Sequence, residues 1–191
     1  MRQLCCSLLV AAAAAASSAC GSSSPASPSS ASATLNVMLK DAPFSDAKAL
    51  LVTFTGVSVH ATGDDFSSVP FVEGTSRTCD LKKLATAQDV LGIGALAPGH
   101  YTQVRLIVST AAIYFDNPSS GAPCATSIDT PSGRNAAVIV PSGDVRINRE
   151  FDITTTKATT MLLDFNGDQS VRQQGDGQYV MSPVIAVVSV Q

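Results

Sequence analysis

The stretch DVRINREFDI, residues 144–153, decides the fold class. Val145, Ile147, Phe151 and Ile153 alternate with Arg146, Asn148, Glu150 and Asp152, and Arg149 alone breaks the pattern. A period of two lays one side of an extended chain on a core and the other against water, which is the mark of a half-buried strand. On that parity Arg149 reads as a buried cation paired with Asp152 or another acid.

The same period continues outward. Leu35, Val37 and Leu39 alternate with Asn36, Met38 and Lys40 in a first strand. Val52 and Phe54 have one parity and Val57 and Val59 the other, which calls for a bulge near Gly56. Val104, Leu106 and Val108 mark a strand running on toward Ile113 and Phe115, and residues 136–140 and 161–165 add two more. Residues 179–190 are almost continuously apolar, which predicts a central strand, with Pro183 near its start or at a bulge. Turn residues such as Pro98-Gly99, Ser142-Gly143 and Asn166-Gly167 separate these runs. Helical spacing occurs over residues 81–91, where Leu81, Leu84, Gln88 and Leu91 share a face. The expected fold is all-β: an antiparallel β-sandwich of prealbumin-like or immunoglobulin-like type over residues 35–191, with seven to nine strands and at most one short helix.

Residues 1–19 read as a secretory signal, with Arg2 ahead of an apolar run and small residues before Cys20. Ser17-Ser18-Ala19-Cys20-Gly21 resembles the lipobox of bacterial lipoproteins, which makes Cys20 the acylated residue and the outer membrane the destination, with the domain facing the periplasm or the exterior. Cleavage without acylation, giving a free secreted protein, is the alternative. Residues 20–34 are rich in Ser, Pro and Ala, a composition that cannot bury a core and reads as a tether. Cys5 and Cys6 leave with the signal. Cys79 and Cys124 remain, and in an oxidising compartment they read as a disulfide. A net charge of −3 without a basic cluster argues against a nucleic-acid partner.

Four blocks carry a family resemblance: LNVMLKDAPFSDAKALLVTFTGVSVHATG (35–63), LKKLA (81–85), LAPGHYTQVRLIVSTAAIYF (96–115) and TTMLLDFNGDQSVRQQGDGQYVMSPVIAVV (159–188). Together they resemble the bacterial and archaeal family known as domain of unknown function 4382. The resemblance implies an envelope lipoprotein with a β-sandwich domain; the family carries no established activity, so it supplies no reaction. The chain departs from the pattern in the Ser- and Pro-rich insertion 117–134, and in Asn166, where a second acid is common. LAPGHY (96–101) also resembles the turn-then-strand element of prealbumin-like and carboxypeptidase-regulatory-like domains, which serve as accessory binding or spacer modules.

Candidate chemistry is sparse. Asp164, Asn166 and Asp168 alternate like the oxygens of a calcium loop, but Gln169 and Gly175 stand where that loop needs its Gly and Glu, so an Asn-Gly turn is the better reading. Asp41, with Asp46, follows the first strand; it forms either a polar site with Asp164 or, preferably, a turn whose carboxylate accepts backbone N–H groups. His60 and His100 lack the spacing of a zinc site, and neither partners a cysteine in a nucleophile motif. Arg105, like Arg149, falls inside a strand. With no Trp present, a glycan platform would rest on Tyr101, Tyr114, Phe115 or Tyr179, although core packing is the stronger reading for each. These readings lead to a lipid-anchored, non-enzymatic envelope module for binding or adhesion, needing no cofactor, whose ligand is a glycan or another envelope protein. The alternative is a structural accessory subunit of an outer-membrane complex, and behind it an envelope hydrolase using the aspartates.

Overall fold

The computed structural model describes residues 31–42 and 47–191. The signal at 1–19, Cys20, most of the tether, Pro43 and Asp46 lie outside the described residues. In chain order the elements are β1 (Ala33–Ala42), β2 (Ala49–Ala61), β3 (Phe66–Ser68), β4 (Arg77–Asp80), α1 (Leu81–Leu84), β5 (Asp89–Leu96), β6 (Gly99–Tyr114), β7 (Cys124–Ala125) and β8 (Asn135–Ile139). They continue with β9 (Asp144–Ile153), β10 (Thr159–Asn166), α2 (Gly167–Ser170), β11 (Val171–Gln173), β12 (Tyr179–Met181) and β13 (Ile185–Val190).

Two sheets form a sandwich. The smaller runs β13-β10-β1-β5; the larger runs β11-β12-β8-β6-β2-β4-β7, with β3 added on β2 and β9 on β6. Leu35, Val37, Leu39, Met161, Leu163 and Phe165 line the inner face of the small sheet. They meet Val52, Phe54, Val57, Val59, Val104, Leu106 and Ile147 from the large one in a single core. Phe54 and Phe165 touch edge to face across the sheets, with ring centres 6.5 Å apart.

The all-β sandwich expectation holds, and three details differ from the sequence reading. Among the described residues there are thirteen strands and two short helices. The additional strands β3, β4, β7 and β11 span two to four residues, too short for a period to show. Second, the pairing is not purely antiparallel: β1 runs parallel to β10, and β12 parallel to β8. Alternation assigns a face to each residue and carries no strand direction. Third, residues 179–190 are not one central strand. Pro183 falls in a break between β12 in the large sheet and β13 at an edge of the small one, because proline cannot donate to a ladder. Val184 and Val188 are accordingly exposed.

The helix expected over 81–91 stops at Leu84, and Leu91 lies in β5 beside β1. Gly92 explains the change of state. A Cβ there would sit 2.7 Å from the Pro70 carbonyl oxygen, and that same carbonyl accepts the N–H of Ile93. The chain at Pro70 thus crosses β5 too closely for any side chain at that point.

The bulge expected at Gly56 is a pair of bulges. Between β2 and β6 the register slips between Thr53 and Phe54, and slips back between Phe54 and Gly56. Both Val52/Phe54 and Val57/Val59 therefore face the core, each of them no more than 3% exposed. At this point β6 also changes its outer neighbour from β9 to β8. Gly143 docks where the two meet: Val108 N–H donates to its carbonyl at 2.8 Å, and a Cβ on Gly143 would collide with the Val108 carbonyl oxygen.

The opposite end of the large sheet is stapled. Cys79 of β4 and Cys124 of β7 form a disulfide across 45 residues. Asp80, fully buried, accepts from Leu50 N, Lys82 N and the Ser119 hydroxyl, so one carboxylate joins β2, α1 and the insertion 117–134. Buried Arg77 donates to Asp89 and to the Cys124 carbonyl. Replacing both cysteines by Ala is expected to lower unfolding free energy by about 4 kcal/mol, the chain-entropy value for a loop of this length. Urea denaturation followed by circular dichroism measures this, and an unchanged midpoint would mean that hydrogen bonds alone hold the insertion.

Candidate functional site

Most of the side chains singled out in the sequence are occupied by the scaffold. Tyr101 is 3% exposed, stacks on Phe151 and donates its hydroxyl to the Ala97 carbonyl at 2.8 Å. Burial, and secondarily the charge of Asp64, raise its pKa above the ordinary phenol value. Tyr114 packs with Ala49 and Leu51 in a small satellite core. Neither ring is a surface platform. Phe115 and Tyr179 are half-buried, 5.6 Å apart, with the Arg134 guanidinium over Phe115.

Asp41 and Asp164 are not brought together. Lys40 and Asp164 are register partners and form an ion pair at 2.9 Å, whereas Asp41 pairs in register with Phe165 on the opposite face of the sheet. Asp41 accepts the backbone N–H of Gly167 at 2.9 Å, as the turn reading expects. A carboxylate pair for glycoside cleavage must flank one bond in one cleft, and these two do not. The calcium-like alternation is similarly committed: Asp164 Oδ2 is held by Lys40, and Asn166 Oδ1 caps α2 by accepting from Gln169 N. Asp164 Oδ1 is buried without a hydrogen bond. Among the described residues no three His, Cys, Asp or Glu side chains are grouped to hold a metal ion.

Arg149 is a further correction. It is exposed, as is Glu150, because the β6–β9 ladder slips between Tyr101 and Gln103 and turns both to solvent. Asp152 pairs instead with His100, Nδ1 to Oδ1 at 2.9 Å.

What the fold does assemble is a polar platform on the outer face of β3, β2, β6 and β9. One cross-strand row is Phe66, His60, Gln103 and Asn148; the next is Ser58, Arg105 and Arg146. Directly opposed like charges disfavour strand pairing, and Asp144 offsets this for the two arginines. It takes Arg105 Nε at 2.9 Å on Oδ1, and Arg146 Nη2 at 3.1 Å on Oδ2. The hydrogen bond from Arg146 is the largest effect on the Asp144 carboxyl; burial opposes it, and the hydrogen bond from Arg105 adds to it, so the carboxyl is held below the usual carboxylate range. Both guanidiniums also lie over Phe66, 5.4 and 5.9 Å from its ring centre. The His60 ring tilts against the same phenyl at 5.0 Å.

Beside the platform is an open groove of about 320 Å³ between Pro141, Ser142 and residues 181–183, with Asp144 and Arg146 in its wall. Gly143 positions this wall by its close approach to Val108. A second groove, of about 220 Å³, lies at the stapled end, where Thr53, Thr78 and Thr110 face Ser127, Ile128 and Thr130. The first concentrates charge and forked donors, whereas the second offers hydroxyls without a charged side chain. Arg105 drew notice in the sequence as a cation within a strand. Phe66 and Asp144 did not: each meets Arg105 only through tertiary pairing, and the sole local signal is the spacing of two between Asp144 and Arg146.

A family model described as "Domain of unknown function (DUF4382)" matches residues 32–183. No curated protein and no solved structure matches the chain.

The platform makes a pH prediction. The folded-state pKa of Asp144 is depressed, so its ion pairs stabilise the fold above the ordinary carboxylate range and are lost only as pH falls through the folded value. Carboxyl-carbon NMR titration should place the Asp144 midpoint below that range, and Arg146→Gln should move it upward. A midpoint indifferent to Arg146→Gln would show that the pairs do not persist in solution.

Proposed function

The chain belongs to the family described as "Domain of unknown function (DUF4382)", and on that premise we propose that it is a non-enzymatic binding module of the bacterial envelope, lipid-anchored through Cys20, whose platform engages a glycan. The observation that carries the reading is the alignment of Phe66, Arg105, Asp144 and Arg146 on one exposed sheet face beside an open groove. Sugar rings present hydroxyls in fixed planes, and forked guanidiniums with a carboxylate and the amides of Gln103 and Asn148 supply matching donors and acceptors. Gln103 Nε2 and Asn148 Oδ1 are already hydrogen-bonded to each other, so one row of the platform is pre-ordered. The Ser-rich tether would hold this face off the lipid surface.

The accessory-subunit reading has its own support in the exposed Val184 and Val188 along the β13 edge. A glycan array probed with the full chain separates the two. The glycan reading expects a hit that Phe66→Ala or Arg105→Gln weakens, and a blank array with a specific envelope protein recovered from extract would replace it. Anchoring is tested separately: Cys20→Ala should move the protein from the membrane to the soluble envelope fraction, and unchanged fractionation would contradict the anchor.

A further inference from the structure

Two arginines share one carboxylate on the platform, and this imbalance specifies the ligand more narrowly. Asp144 takes three N–H donors, namely Arg105 Nε, Arg146 Nε and Arg146 Nη2. Two guanidiniums carry about ten donors and two full charges. Among the described residues no second acceptor engages either group. The side chains stay 32% and 56% exposed, so the remaining forks reach solvent. Phe66 beneath both and Asp144 between them fix their orientation before any ligand arrives. The groove wall at Arg146 continues into Ser142 and Ser182, which add neutral donors and no negative charge.

Resting on the glycan reading above, we propose that the group recognised is an anionic oxygen pair, the carboxylate or sulfate of an acidic sugar, held between the free forks of Arg105 and Arg146. Asp144 then acts as the internal competitor of the ligand anion and tunes its affinity. This gives Asp144 a sign opposite to that in neutral-sugar recognition, where a carboxylate accepts sugar hydroxyls and its removal weakens binding.

The test uses the full chain in mild detergent, with a galacturonic acid tetramer, a neutral galactose tetramer and inorganic phosphate as probes, and titration calorimetry as readout. The proposal expects the acidic tetramer to bind and the neutral one to bind at least about tenfold more weakly, with affinity falling as salt rises. Arg105→Gln or Arg146→Gln should each cost about tenfold or more, Arg105→Lys or Arg146→Lys should restore part of this without the fork, and Asp144→Asn should tighten binding. Circular dichroism of each variant confirms that it is folded. Equal binding of both tetramers, weakened by Asp144→Asn, would overturn the anionic inference and leave the glycan reading standing. Phosphate binding as tight as the acidic tetramer would keep the anion site and overturn the glycan reading. Binding of no probe would overturn both.

Discussion

The two longest strands, β2 and β6, pair antiparallel along almost their whole length and organise the large sheet. These strands run side by side from Ala49↔Tyr114 to Ala61↔Tyr101, and four of the seven other strands of the large sheet, β3, β4, β8 and β9, pair directly with one of them. Without a correction, the apolar residues on either side of Thr55 would face opposite ways. The two compensating slips around Phe54 put Val52, Phe54, Val57 and Val59 all on the core side. Phe54 at the slip meets Phe165 from the other sheet, so the position that sets the register also joins the layers. A fully buried Phe in such a place stabilises a fold by roughly 3–5 kcal/mol relative to Ala.

The slip also divides the large sheet into two working ends. On the Ala61 side, β3 and β9 extend the pair and display the arginine platform; on the Ala49 side, β4, β7 and β8 extend it and carry the disulfide and the insertion. Gly143, at the border, lets the chain turn from β8 to β9 against Val108. The insertion is tied down at three points, by Ser119 on Asp80, the disulfide at Cys124 and Arg134 on Asp116.

Alternation over 144–153, 35–39 and 104–108 made the sandwich legible, since a two-residue period is a direct imprint of one buried face. The parity change at Gly56 made even the bulge legible. Strand direction was not, because β1 beside β10 leaves no trace in either strand's pattern. Leu91 misled because Leu81, Leu84 and Leu91 satisfy a helical face, while the deciding fact was the approach of Pro70 to Gly92. The same distinction governs the site. Asp41 was correctly legible as an acceptor for backbone N–H groups, a local habit of the residue. Tyr101 read as a core residue ahead of a platform ring, and it is buried, but its partner Phe151 is set only by the tertiary structure. Phe66, the first residue of a three-residue strand, had no periodicity to show.

On the function proposed above, ligand is engaged at the β3–β2–β6–β9 end of the large sheet. The most direct measurement is backbone amide NMR of the Cys20→Ala chain titrated with an acidic oligosaccharide, followed residue by residue. The expected result is shifts confined to Ser58, His60, Phe66, Gln103, Arg105, Arg146 and Asn148 and the adjoining groove wall at Ser142 and Ser182. Shifts gathered instead around Thr53, Thr78, Thr110 and Ile128, or along the β13 edge, would contradict it.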